Sequence, residues 1–133
     1  MSDKKLPHDH GEELHELEPL QAQLGETESF IRVTEVFRQL GDSTRIRLFW
    51  LLCHCEECVI NISSMLGMSS PAVSHHLRML KDSGLIESRR MGKEVYYKAA
   101  SSRESRMLHE MIEEMMEIVC PDVNLKEVKD HRD

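Results

Sequence analysis

Apolar positions recur at helical spacing in several stretches of the chain and give way once to a β-rich pattern. Phe30, Val33, Val36, Phe37 and Leu40 predict a helix from about Glu28, stopped at Gly41. Ser43 is a candidate N-cap for a second helix with Ile46, Phe49, Trp50 and Cys53 inward. A third helix is predicted over 59–66, with Ile60, Ile62, Met65 and Leu66 inward and Gly67 as its stop. Ser69-Ser70-Pro71 opens a fourth, from Pro71 to Ser83, ending at Gly84. Its inward residues are Val73, Leu77 and Leu80. Two β-rich runs, Leu85–Arg90 and Val95–Lys98, flank Met91-Gly92-Lys93-Glu94 and predict a hairpin. The last helix, about 102–119, carries Met107, Leu108, Met111, Ile112, Met115, Met116 and Val119 as a wide apolar stripe. The expected organisation is an acidic arm over 1–27, with a short helix near 11–18, a folded domain over 28–120, and a polar tail over 121–133.

This order of elements points to a mainly α fold with a small β-hairpin. Two helices joined by a three-residue turn, the second polar and basic, form a helix-turn-helix, and the hairpin adds a wing. The second helix suits the major groove of a duplex, which admits one helix. Ser74, His75, Arg78 and Lys81 lie on its outer face, with His76 at the margin. Ser69 and Ser70, at its N-terminus, offer hydroxyls and backbone N–H groups to phosphate. Arg89, Arg90 and Lys93 surround the tip of the hairpin, where they would meet the DNA backbone. The seven large apolar residues of the last helix exceed what one small core covers. They predict a homodimer through the terminal helices, joined by Phe30 and Phe37.

Charge sharpens this picture. The 133 residues carry 17 Lys and Arg against 24 Asp and Glu, a net charge of −7. The imbalance is local: residues 1–29 hold 2 basic and 8 acidic side chains, whereas residues 69–98 hold 6 and 3. Phosphate contacts are local and screening acts within about 10 Å, so an acidic protein with one basic stretch can bind DNA. With 40% hydrophobic and 31% charged residues, the chain is expected to be globular rather than disordered. No apolar run suits a membrane span, and the first residues lack a secretory signal pattern; a cytoplasmic protein without membrane partners is expected. The four cysteines are then expected as thiols, metal ligands or redox groups. Without a phosphate loop, a His-Glu-x-x-His run or a nucleophile elbow, no enzyme is predicted. An interaction module that does not bind DNA is the alternative of a different class.

Met68-Ser69-Ser70-Pro71-Ala72-Val73-Ser74-His75-His76-Leu77-Arg78-Met79-Leu80-Lys81 closely resembles the recognition-helix signature of ArsR/SmtB-type repressors. Leu40-Gly41-Asp42-Ser43-Thr44-Arg45 and Arg89-Arg90-Met91-Gly92-Lys93-Glu94-Val95-Tyr96-Tyr97 resemble the same family, over roughly 28–119 in all. The resemblance implies a homodimeric winged-helix repressor of double-stranded operator DNA. Such a repressor is released when a metal ion, or in some members an oxidised sulfur species, engages a sensor site.

The sensor is ambiguous in sequence. The resemblance implies a Cys-Val-Cys box where this chain has Cys58-Val59-Ile60, so the second ligand is missing. On a continuous helix Cys53 and Cys55 point about 200° apart, whereas His54 with Cys58, or Cys55 with Cys58, share a face. A helix break near 55 would instead give a Cys-x-x-Cys loop suited to zinc, cadmium, lead or arsenite-type ions. His8 and His10, with Asp9 and His15 nearby, are further ligand candidates, since the resemblance implies that N-terminal residues complete such sites. The zinc-type motif of the last helix is absent; His109 and Cys120 are its nearest approximation. The redox alternative pairs Cys53 with Cys120 as a disulfide or persulfide sensor.

Overall fold

The computed structural model describes residues 6–8, 10 and 14–122. Among these, six helices and three strands form: α1 (Leu14–Leu24), α2 (Thr27–Gln39), α3 (Ser43–His54), β1 (Glu57–Cys58), α4 (Val59–Leu66), α5 (Ser70–Asp82), β2 (Ile86–Met91), β3 (Glu94–Ala99) and α6 (Arg103–Val119). The chain divides into two compact units, Met1–Val36 and Phe37–Asp133.

In the first unit, α1 runs past the predicted 11–18 segment to Leu24 and holds Pro19, which removes one of its N–H donors. Residues 11–13 of that predicted segment lie outside the described residues. Phe30 and Val33 of α2 are about half exposed.

The second unit is the winged helix. Its core is Leu48, Phe49 and Leu52 of α3, Ile62 of α4, Val73, Leu77 and Leu80 of α5, and Leu85, Ile86, Leu108 and Ile112 beyond them. The α5 stripe is the predicted one. In α3, Leu48 and Leu52 take the buried positions expected of Ile46 and Trp50, which are half-buried. In α4 the expectation fails for Ile60 and Met65, which are 68% and 57% exposed. A helix of two turns buries one narrow stripe, here Ile62 and Ser63. Ser63 is tolerated inside because its hydroxyl meets that of Ser70 at 3.1 Å.

The helix-turn-helix is set by local chemistry. Gly67 adopts φ 66°, and Met68 N–H reaches back to the Ser63 carbonyl at 3.0 Å, which closes α4. Ser69 then caps α5, its hydroxyl accepting from Ala72 N–H at 3.3 Å, with a proline in the first turn. At the far end Gly84, φ 82°, repeats the device, with Leu85 N–H bonded to the Leu80 carbonyl at 3.1 Å. The hairpin is in register from Ile86 opposite Ala99 to Met91 opposite Glu94, so Gly92 and Lys93 form the turn. The sheet has a third, unpredicted strand: β1 pairs antiparallel with β3, in the order β1-β3-β2. Buried Ser105 donates to the Leu85 carbonyl at 2.9 Å and fixes the start of α6 against the base of the wing.

Candidate nucleic-acid interface and metal-ligating cluster

Along the outer edge of α5, His75, Arg78 and Lys81 are exposed and Ser74 is half-buried, so the polar face is open. Ser69 is exposed at its N-terminus. Three other predicted contact residues are engaged within the chain. The Ser70 hydroxyl meets Ser63. His76 Nδ1 lies 3.3 Å from an Arg45 guanidinium nitrogen. Arg89 is held bidentately by Glu56, with both nitrogen–oxygen distances 2.7 Å. That guanidinium holds the Glu56 carboxyl below the usual carboxylate range. Arg90 and Lys93 are exposed on the wing.

Arg45 joins three elements. Its Nε donates to the Gln39 carbonyl at 2.8 Å and a second nitrogen reaches the Arg38 carbonyl at 3.4 Å, covering the C-terminal end of α2. Its backbone N–H is received by Asp42, the N-cap of α3, at 3.1 Å. That hydrogen bond is the main cause of a lowered Asp42 pKa, against a smaller opposing effect of burial.

The predicted sensor residues are dispersed. Helix α3 ends at His54, and Cys55 is extended at φ −153° and ψ 167°. The break that permits a Cys-x-x-Cys loop is therefore present, and the helical pairing of His54 with Cys58 is not. Cys58 is buried at the junction of β1 and α4, and Cys53 is buried in the core. Burial, aided by the charge of Glu57, pushes the Cys55 thiol up, which favours its protonated, weakly ligating form. Cys120 is exposed at the end of α6. Trp50 and His54 meet α6 at Glu113 and His109, so the two helices run antiparallel. Cys120 thus points toward the beginning of α3, away from Cys53, and the fold does not bring this pair together. His8 and His10 are exposed, their rings stacked with centroids 5.8 Å apart. Asp9 and the side chain of His15 lie outside the described residues.

What sequence reasoning missed is a cluster between α3 and α6. His54, His109 and Glu113 each offer one ligating atom, all within 4.8 Å of one another. His54 Nε2 and His109 Nε2 stand 3.1 and 3.0 Å from the same Glu113 oxygen, Oε2, and 3.1 Å from each other. Trp50 donates to that oxygen at 3.1 Å and its ring tilts over His54, centroids 4.5 Å apart. Burial raises the Glu113 pKa, but the charge of His109 and the hydrogen bonds from His109, His54 and Trp50 outweigh it, and the net direction is down. The i,i+4 spacing of His109 and Glu113 was visible in the sequence, and His54 was a ligand candidate there, but with Cys58 and not with α6.

A winged helix with an open polar recognition edge is the architecture of a DNA-binding regulator, and here it also carries a histidine–carboxylate cluster between α3 and α6. Comparison with known proteins agrees. Residues 42–88 match the family model described as bacterial regulatory protein, arsR family. The transcriptional repressor SmtB homolog of Synechocystis sp. is 31% identical over 108 residues, 81% of this chain and 80% of that protein. The cadmium resistance transcriptional regulatory protein CadC homolog of Staphylococcus aureus is 39% identical over 66 residues, 49% of this chain and 54% of that one. Among solved structures, a homodimeric winged helix-turn-helix DNA-binding domain from Mycobacterium bovis superimposes with a TM-score of 0.62 at 25% identity, covering 81% of this chain and 92% of that one. The chain belongs to the ArsR family of transcriptional regulators, which are DNA-binding proteins and not enzymes. No helix among the described residues is long and apolar enough to cross a membrane.

Proposed function

We propose that the protein is a homodimeric, cytoplasmic repressor that binds an operator palindrome and leaves it when a metal ion binds. The observation that carries this reading is the outward polar edge of α5, capped at Ser69 and exposed at His75, Arg78 and Lys81. Ser74, His75 and Arg78 read base edges, while Ser69, Lys81, Arg90 and Lys93 hold phosphates. Ser70, His76 and Arg89, engaged inside the chain, position these elements. The dimer is supported by α6, where Leu108 and Ile112 turn inward but Met107, Met111, Met115 and Ile118 are 39–72% exposed. So regular an apolar face suits a twofold mate, and the similar M. bovis domain is a homodimer. Metal response is supported by the cadmium resistance regulator among the relatives. The intrachain redox pair is disfavoured by the separation of Cys53 from Cys120.

Selection of bound sequences from a random duplex pool tests the reading. The expected product is an inverted repeat with half-sites about one helical turn apart, bound by a dimer with an affinity that falls steeply with salt. Recovery of no repeat, or binding by a monomer, refutes it.

A further inference from the structure

We propose that His54, His109 and Glu113 form a divalent-cation site of two imidazole nitrogens and one carboxylate oxygen, built within one chain between α3 and α6. The three ligating atoms make a nearly equilateral triangle with edges of 3.0–3.1 Å. An ion at the roughly 2.0–2.1 Å typical of zinc–nitrogen bonds stands about 1 Å out of that plane, with ligand–ion–ligand angles near 100°. That is a three-ligand face with room for water in the remaining position.

The two ring nitrogens converge on one Glu113 oxygen while standing 3.1 Å from each other, so three potential ligand atoms lie together in one place. A divalent ion accepts all three lone pairs at once. The side chains of His54, His109 and Glu113 are 12%, 18% and 29% exposed, sheltered yet reachable. Trp50 holds the carboxylate through its indole N–H, the outer support that metal-binding carboxylates commonly have.

Without a thiolate, the set favours ions that seek imidazole, such as zinc, cobalt or nickel, over soft ions such as lead or arsenite. This site is the inducer site of the repressor; that second statement rests on the function proposed above.

Cobalt(II) titrated into the full-length protein tests the site. The expected result is one ion per chain, visible d–d absorption without a sulfur-to-cobalt charge-transfer band, and quenching of Trp50, the sole tryptophan. His109→Ala should lower affinity roughly 100-fold or more, and Trp50→Phe about 10-fold, as loss of an outer-shell partner does. Glu113→Gln keeps the shape of the cluster and should also weaken binding, so a misfolded His109→Ala cannot decide the matter alone. Absence of binding, or a charge-transfer spectrum that persists in His109→Ala, overturns the site. Duplex binding is measured in the same samples. Failure of the metal-free protein to bind any selected duplex refutes the repressor and leaves the site standing. Duplex affinity indifferent to a bound ion overturns the inducer role alone.

Discussion

Replacing Arg45 by methionine removes a guanidinium while keeping a long stem in place, so it isolates the polar contacts. Three contacts are lost. The bond to the Gln39 carbonyl, at 2.8 Å, is charge-assisted, and such bonds contribute about 1.5–3 kcal/mol. The contact to the Arg38 carbonyl, at 3.4 Å, is at the limit of hydrogen bonding and adds little. The approach to His76, at 3.3 Å, is also long. The expected loss is thus about 2–3 kcal/mol, read by urea unfolding at fixed protein concentration, since dimerisation couples stability to concentration. Arg45→Lys should recover only part, because one ammonium cannot span two carbonyls and a ring nitrogen. Duplex affinity should fall in Arg45→Met with an unchanged salt slope, because the residue acts by placing α5 and not by touching phosphate. A stability change below about 0.5 kcal/mol refutes the structural account, since surface substitutions typically fall within that range. A slope reduced by about 0.9 reveals a direct phosphate contact instead.

Arg78→Ala should weaken binding and relax sequence preference at one operator position, costing about 1–3 kcal/mol there, whereas Lys93→Ala should weaken all duplexes alike and reduce the salt slope by about 1; competition binding across a set of operator variants distinguishes them. Met115→Glu, at a position 53% exposed in the single chain, should shift sedimentation toward monomer while the far-ultraviolet dichroism of each chain is retained. Asp42→Ala removes the N-cap of α3 and should cost about 1 kcal/mol at neutral pH. The folded pKa of Asp42 lies below its ordinary 3.8. Its contribution is therefore complete above that value and lost as pH falls through the folded pKa, so the stabilities of wild type and variant should converge in acid.

Helix α5 was legible in the sequence because three local signals agree: the Ser69 cap, Pro71 in the first turn, and Gly84 at the close, each acting within a few residues. The hairpin was legible for the same reason. Strand β1 was not. It has two residues, and its existence depends on Glu57 and Cys58 meeting Tyr97 and Tyr96, some forty residues away. The inward face of α4 was misread because hydrophobicity alone favours Ile60 and Met65, whereas packing selects Ser63 once Ser70 supplies its partner. The cluster at Glu113 shows the same limit. Sequence spacing offers His109 partners such as Cys120 along its own helix, whereas its partner His54 is 55 residues away and is set by antiparallel packing.

That packing gives α3 a particular position in the fold. It contacts α5, β3 and α6, and its inner residues Leu48, Phe49 and Leu52 are fully buried. A helix so closely packed moves as a unit more readily than it bends. Near its first turn Arg45 touches the end of α2 and His76 of the recognition helix; in its last turn Trp50 and His54 touch Glu113 and His109 of α6. If α3 moves as one element, a change of spacing at the α6 end would reach α5 through it. The Arg45–His76 contact is the side-chain link between α3 and the recognition helix that such a path would use. Coupling between α6 and α5 through this helix requires that Arg45→Met also blunt any effect of a bound ion on duplex affinity, even though Arg45 lies outside the proposed ligand set. An ion effect of undiminished size in that variant would place the connection elsewhere, in the α6 dimer face or in the Ser105–Leu85 link to the wing.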